Sequence, residues 1–159
     1  MSYRSRETVR RVERALTERG VEARLVELEN TARSASEAAE ALGVRVEQIV
    51  KSLVFRGMQS GRPVLVLAGG ANRVDERRIS AFLSEPIEKA DAAFVREKTG
   101  YSIGGVPPVG HAEAPKTFMD EDLLGEGEVW AAAGHTHVVF GIAPERLVEI
   151  TGGRVVRVG

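Results

Sequence analysis

The chain reads as an α/β (α+β) fold, a single compact domain over residues 1–159 in which helices flank a mixed, largely antiparallel sheet. Three observations predict this. Segments with the apolar period of a helix alternate with short β-branched runs, and no internal repeat interrupts them. Two of the runs, Ile49 to Phe55 and Val64 to Ala68, are separated by a turn-like Gly57 to Pro63. They read as a hairpin at the centre of the sheet, its second strand buried on both faces. A length of 159 residues with 43% hydrophobic content closes one sizeable core and is short for two.

From about Ser5 to Arg19, Val9, Val12 and Leu16 fall on one helical face, and Gly20 supplies the stop. Val21 to Leu28 is strand-like. Ser34 and Glu37 have capping-box spacing ahead of Ala38, Ala39, Ala41 and Leu42, and Gly43 ends this short helix of small residues. Beyond the central hairpin, Asp75 caps a segment presenting Ile79, Phe82 and Leu83, and Asp91 caps another presenting Phe94, Val95 and Lys98 before Gly100. Thr117 to Met119 and Val129 to Ala133 read as strands, with an acidic helical turn from Asp120 to Leu124 between them. Val138 to Ile142 pairs with the preceding strand across Gly134-His135-Thr136. Pro144 opens a last helix carrying Leu147 and Val148, and Arg154 to Val158 closes the chain as a strand.

Composition narrows the function classes. The 22 basic and 23 acidic residues nearly cancel, which argues against a surface coated in positive charge for nonspecific DNA binding. The absence of cysteine excludes disulfides, thiolate metal sites and a cysteine nucleophile. Met1 to Gly20 is charged throughout and lacks the apolar core of a signal peptide, and no apolar run approaches membrane-spanning length. A soluble, cytoplasmic protein with no membrane partner is expected.

Two features resist a bland reading. Between Tyr101 and His111 stand Gly104, Gly105 and Gly110 together with Pro107 and Pro108. Glycine lets peptide N–H groups approach a ligand, while each proline fixes φ and deletes a donor, so the remaining donors point in defined directions. Such a loop is either an oxyanion or amine cradle or a tight turn before an edge strand. Lys51 is the second feature. In a period-two strand it shares a face with Leu53 and Phe55, while Val50, Ser52 and Val54 take the other, so neither face is plainly polar. The lysine either snorkels from the strand entrance or holds a phosphate, a carboxylate or a polarised carbonyl.

These residues carry a resemblance. The run Thr31-Ala32-Arg33-Ser34-Ala35-Ser36-Glu37-Ala38-Ala39, then Leu42-Gly43-Val44, the strand Gln48 to Phe55, and Thr99-Gly100-Tyr101 leading into Gly104 to Gly110 resemble the YbaK family of aminoacyl-tRNA deacylases. That family includes the editing domain of bacterial prolyl-tRNA synthetases and its freestanding relatives. The resemblance runs through nearly the whole chain and implies a YbaK-like α/β fold that hydrolyses the ester joining a wrong amino acid to tRNA. Lys51 matches the family's functional lysine, and Gly104 to Pro108 matches its Gly-x-x-x-Pro substrate loop. The expected catalytic set is Lys51, Gly104 and Gly105, with Val106, Pro107, Pro108, Gly110 and His137 binding substrate. Pro107 departs from the many relatives that have a hydroxyl residue there, and leaves the amino-acid preference open.

With no cysteine and no Gly-x-Ser-x-Gly elbow, water is the expected nucleophile. N–H groups of Gly104 or Gly105 would stabilise the oxyanion, where losing one donor typically costs about 3 kcal/mol. Lys51 would position the phosphate or carbonyl of the terminal adenosine, and the neighbouring ribose hydroxyl would assist the water. The expected partner is the acceptor end of a mischarged tRNA carrying a small amino acid, such as tRNA-Pro, with prolyl-tRNA synthetase as a further docking partner. The resemblance implies no metal and no cofactor. The competing class is a noncatalytic tRNA- or synthetase-binding module.

Other motifs are weaker. His135-x-His137 with His111 or Asp120 has the residue types of a zinc set but lacks a His-Glu-x-x-His helix. Arg73, Arg77 and Arg78 beside Asp75 and Glu76 read as a solvated mixed-charge face or as tRNA phosphate contacts. Gly69-Gly70-Ala71-Asn72 lacks the spacing of a phosphate loop and reads as a turn.

Overall fold

A computed structural model describes residues 2–30, 32 and 34–159, so Thr31 and Arg33 of the family-like run lie outside the described residues. The first helix, α1 (Glu7–Glu18), buries Val9, Val12, Ala15 and Leu16 and ends where Gly20 turns to φ +76°. The strand after it is shorter than its β-branched pattern suggests, β1 being Leu25–Glu27. Helix α2 (Ala35–Leu42) opens with the Ser34 hydroxyl accepting from the Glu37 N–H at 3.1 Å and closes on left-handed Gly43, as the capping signals predict.

Strands β2 (Val50–Gly57) and β3 (Pro63–Gly69) form the central antiparallel hairpin, in register from Val50 opposite Gly69 to Arg56 opposite Pro63. Every residue of β3 is buried. Helix α3 (Glu76–Leu83) is capped by Asp75. Strand β4 (Ile87–Lys89) escapes sequence reading because three residues after Pro86 are too few to display a period; it adds to β2 as an edge. Helix α4 (Ala92–Thr99) is capped by Asp91 and stops at Gly100, φ +85°. The remaining elements are β5 (Lys116–Asp120), a short acidic 3-10 turn (Glu121–Gly125), β6 (Val129–His135), β7 (Val138–Ile142), α5 (Pro144–Thr151) and β8 (Arg154–Val156).

The strands form two sheets. One is mixed and five-stranded, in the order β4-β2-β3-β5-β8, with β5 and β8 running parallel to their neighbours. The other is antiparallel and three-stranded, β1-β7-β6. The split follows from burial. Leu65 and Leu67 of β3 face a core shared with α1, α5, β6 and β7, while Val64, Val66 and Ala68 face a second core with Ile79 and Phe118. A strand apolar on both sides needs a layer on each, and the three-stranded sheet with α1 supplies one of them. A parallel bridge between Ile49 and Trp130 ties the sheets together where β2 begins.

The glycine-proline loop after α4 folds back on itself. Tyr101 is buried and its hydroxyl donates to the Gly110 carbonyl at 3.0 Å. His111 donates through Nε2 to the Pro107 carbonyl at 2.6 Å, while its Nδ1 is buried without a hydrogen-bond partner. Burial holds the His111 imidazole below the ordinary histidine range, against the opposing pull of the Pro107 carbonyl. Because the folded pKa lies below the unfolded one, the neutral ring's contribution is fully present above the unfolded pKa of about 6.5. It is lost as pH falls from there through the folded pKa, with a limiting slope of about 1.4 kcal/mol per pH unit. Urea unfolding between pH 7.5 and 4.5 is expected to give a steeper fall in stability for the wild type than for His111→Gln.

Candidate active site

Lys51 is the second residue of β2 and is half-buried. Its ammonium does not snorkel free: Nζ donates to the main-chain oxygen of Asn72, in the turn that follows β3. Burial draws the Lys51 pKa below the ordinary lysine range; Asp120 opposes this, and Arg73 adds to the lowering. Behind the turn stands Asp120, at the end of β5 and buried. It accepts from the Gly69 N–H at 2.9 Å and the Asn72 side-chain amide at 2.8 Å.

Two clefts meet at this lysine. A smaller one, about 280 Å³, is bounded by Ala35 and Ala38 of α2, Ile49, Trp130, Ala132 and Val139. Its walls are small and apolar because α2 turns its alanine face inward. A larger one, about 570 Å³, carries Arg73, Glu76 and Lys89 on its rim. Lys51, Ser52, Leu53, Ile103, Gly104 and Val106 line both, so the loop forms a ridge between the clefts facing the start of β2. Ile103 at the crest is 60% exposed.

The two loop glycines are not equivalent. Gly104, at φ +93°, is exposed on the ridge, and among the described residues its N–H has no protein partner; the same holds for Val106. Gly105 is buried, and its N–H donates to the Ser102 carbonyl at 2.9 Å. A Cβ on Gly105 would meet Cα and N of His135 at 3.0 Å. The expectation that Gly105 offers a donor to the oxyanion is therefore corrected: its donor closes the turn, and its missing side chain lets the loop rest on β6. Pro107, Pro108 and Gly110 are corrected too. None lines the clefts at Lys51; Pro108 and Gly110 border a separate hollow with Arg19 and His111, and a Cβ on Gly110 would meet Ala15 of α1 at 3.0 Å.

His137 does not line the cleft; it lies in the turn between β6 and β7, just after a bulge. In β6, Ala132 pairs with Val139 but the next pair is His135 with Val138, so Ala133 and Gly134 are extra residues on that strand. Gly134 takes φ +92°, and a Cβ there would lie 2.6 Å from the Thr8 carbonyl oxygen of α1. The bulge shifts the alternation, so His135, which would otherwise share the core side of Ala131 and Ala133, lines the cleft beside Thr136. His135 and His137 both stack on Tyr3, with ring centroids 4.6 and 4.3 Å away. Burial, then His137, then Arg6 depress the His135 pKa. Among the described residues no three His, Asp or Glu side chains converge as a metal set: Asp120 belongs to the Lys51 network and His111 to the far end of the loop.

Sequence reasoning missed His135, Thr136, Trp130 and Ser52 as cleft residues. It treated Asn72 as a turn and Asp120 only as a metal candidate. The hydroxyl of Ser52 and the indole nitrogen of Trp130 are buried without hydrogen-bond partners, so the cleft carries polar capacity beneath its apolar walls.

A family model describing an aminoacyl-tRNA editing domain matches residues 29–150. The chain belongs to the aminoacyl-tRNA editing domain family. This is the family to which the residues around Lys51 and the loop point. A solved structure described as a candidate trans-editing enzyme for prolyl-tRNA synthetase superposes with a TM-score of 0.91 at 44% identity, covering 96% of this chain and 97% of that one. The uncharacterized protein YwhH of Bacillus subtilis is 30% identical over 131 residues, 82% of this chain and 83% of its own. EbsC of Enterococcus faecalis, named as a candidate Cys-tRNA(Pro)/Cys-tRNA(Cys) deacylase, is 28% identical over 76% of this chain and 74% of its own. The family match begins after β1, so the α1 contact with the Gly134 bulge and the Tyr3 stack involve residues outside the matched segment. Among the described residues no helix of this editing domain is long and apolar enough to cross a membrane.

The packing of Gly105 makes a prediction. Gly105→Ala is expected to lose about 1–3 kcal/mol of stability through overpacking against β6. Gly61→Ala has only an arginine tip at 4.0 Å from its new Cβ, and carries just the strain of φ +70°, about 1 kcal/mol. Denaturant unfolding of the two variants beside the wild type measures both; equal losses would mean that His135 yields freely.

Proposed function

We propose that this editing domain is an aminoacyl-tRNA deacylase acting in trans, hydrolysing the ester of a tRNA mischarged with a small amino acid. The observation that carries the reading is the meeting of Lys51 and the N–H of Gly104 at the junction of two clefts. The smaller, apolar cleft suits a small aminoacyl side chain, which alanine walls and Trp130 would enclose. The larger one, with Arg73 and Lys89 at its rim, suits the phosphates and ribose of the acceptor end. The name of the solved relative makes tRNA-Pro the first tRNA to test and prolyl-tRNA synthetase the first docking partner.

Water attacks the ester carbonyl, and negative charge builds on its oxygen. The N–H groups of Gly104 and Val106 are the donors available to receive it; Gly105, held by Ser102, is not. Lys51 keeps an ammonium beside the reacting ester, tethered by a carbonyl that does not neutralise it. The vicinal ribose hydroxyl takes the base's part in orienting water, and the leaving 3′ oxygen regains a proton as the ester breaks.

Purified protein incubated with a panel of mischarged tRNAs is expected to deacylate at least one carrying a small amino acid, and to do so in the presence of EDTA. Lys51→Ala is expected to lower turnover at least about tenfold, roughly 1.4 kcal/mol of transition-state stabilisation, while melting cooperatively. Binding of tRNA without turnover across the panel would instead favour a noncatalytic module, and loss of activity with EDTA that zinc restores would overturn the metal-free chemistry.

A further inference from the structure

We propose that Asp120 is a positioning residue for Lys51, holding Asn72 by its side-chain amide so that the main-chain oxygen of Asn72 fixes the ammonium where the clefts meet. Among the described residues Asp120 is the one charged residue that is buried, at 1% exposure. It makes no ion pair there. Its carboxylate is instead satisfied by three N–H donors: Gly69 and the Asn72 amide on Oδ2, and Asp122 at 3.0 Å on Oδ1. Asn72 is also held by Asp122, at 2.8 Å.

Topology makes this arrangement. β3 and β5 run parallel, with Leu67 beside Met119, so Asp120 lies beside the end of β3 and at the start of the turn carrying Asn72. β2 runs antiparallel to β3, so Lys51, opposite Ala68, arrives at the same end. Asp120 also caps the short 3-10 turn, and the three donors keep it as a buried carboxylate whose field acts on the nearby ammonium. Direct contact with Asp120 would neutralise Lys51 as an electrophile. A carbonyl between them holds the ammonium and leaves its other two protons free, while the carboxylate behind favours the charged form against burial. The other ionisable groups facing Lys51 are Arg73, Glu76 and Lys89 on the larger cleft and His135 on the smaller.

The catalytic meaning rests on the deacylase reading, but the clamp does not, so the test has two arms. In protein with 13C-labelled lysine, the Lys51 Cε signal is identified by its loss in Lys51→Arg, and its titration is followed by NMR. Asp120→Asn and Asn72→Ala are both expected to move the Lys51 midpoint to lower pH. In the deacylation arm, the basic limb of the pH profile is expected to move the same way. In this arm kcat should fall about tenfold in Asp120→Asn, with a smaller change in KM. Should Asp120→Asn not fold, Asn72→Ala alone decides, because Asn72 is half-exposed. An unmoved Lys51 midpoint in a folded variant overturns the clamp, whereas normal titration shifts without any tRNA turnover in the wild type would overturn only the deacylase reading.

Discussion

Strand β3 has no water on either face, and that constraint orders the rest of the molecule. A strand so placed must pair its backbone on both edges, and it does so with β2 on one side and β5 on the other. It must also receive an apolar layer above and below, which produces the two cores and separates the strands into two sheets. Because one neighbour is antiparallel and the other parallel, the start of β2 and the end of β5 come to the same end of β3. Lys51 and Asp120 are thus brought together by the pairing rules of the sheet's most hydrophobic strand, from opposite ends of their own.

The electrostatics at that end are layered. Outermost are the arginine and lysine of the larger cleft's rim, then the half-buried ammonium, then a neutral carbonyl, and innermost a carboxylate. An ammonium in this setting loses hydration, which draws its pKa down, and the carboxylate behind it opposes that pull. The opposing ridge is built the other way, from main-chain donors kept bare by glycine. Charge from one wall and oriented dipoles from the other converge on a space bounded by small apolar side chains, which strengthens both by excluding water.

Much of this was legible in the sequence because the signals are local. Ser34, Asp75 and Asp91 each cap the helix expected of them, and Gly20, Gly43 and Gly100 each end one. Lys51 was legible as a misfit in an apolar strand, and the loop as a glycine-proline cluster. What stayed hidden depends on partners far away in sequence. Gly104 and Gly105 differ in backbone φ, in burial and in what their N–H groups and missing side chains meet, none of which the sequence displays. The Asp120 to Asn72 contact spans 48 positions and has no sequence period to betray it. Strand β4 is an edge of three residues, and His137, expected to bind substrate from the resemblance alone, lies in the turn after the Gly134 bulge and stacks on Tyr3.

That bulge separates two jobs a strand ordinarily performs together. Before it, β6 alternates between core and cleft, with Ala131 buried and Ala132 on the wall; after it, the alternation restarts in a new phase. Changing the number of residues in the bulge would therefore change which polar side chain at the end of β6 reaches the cleft, while the core residues before it, Val129 and Ala131, keep their places. The cleft wall can diversify by insertion and deletion, a kind of variation that a regular strand buried on one face forbids.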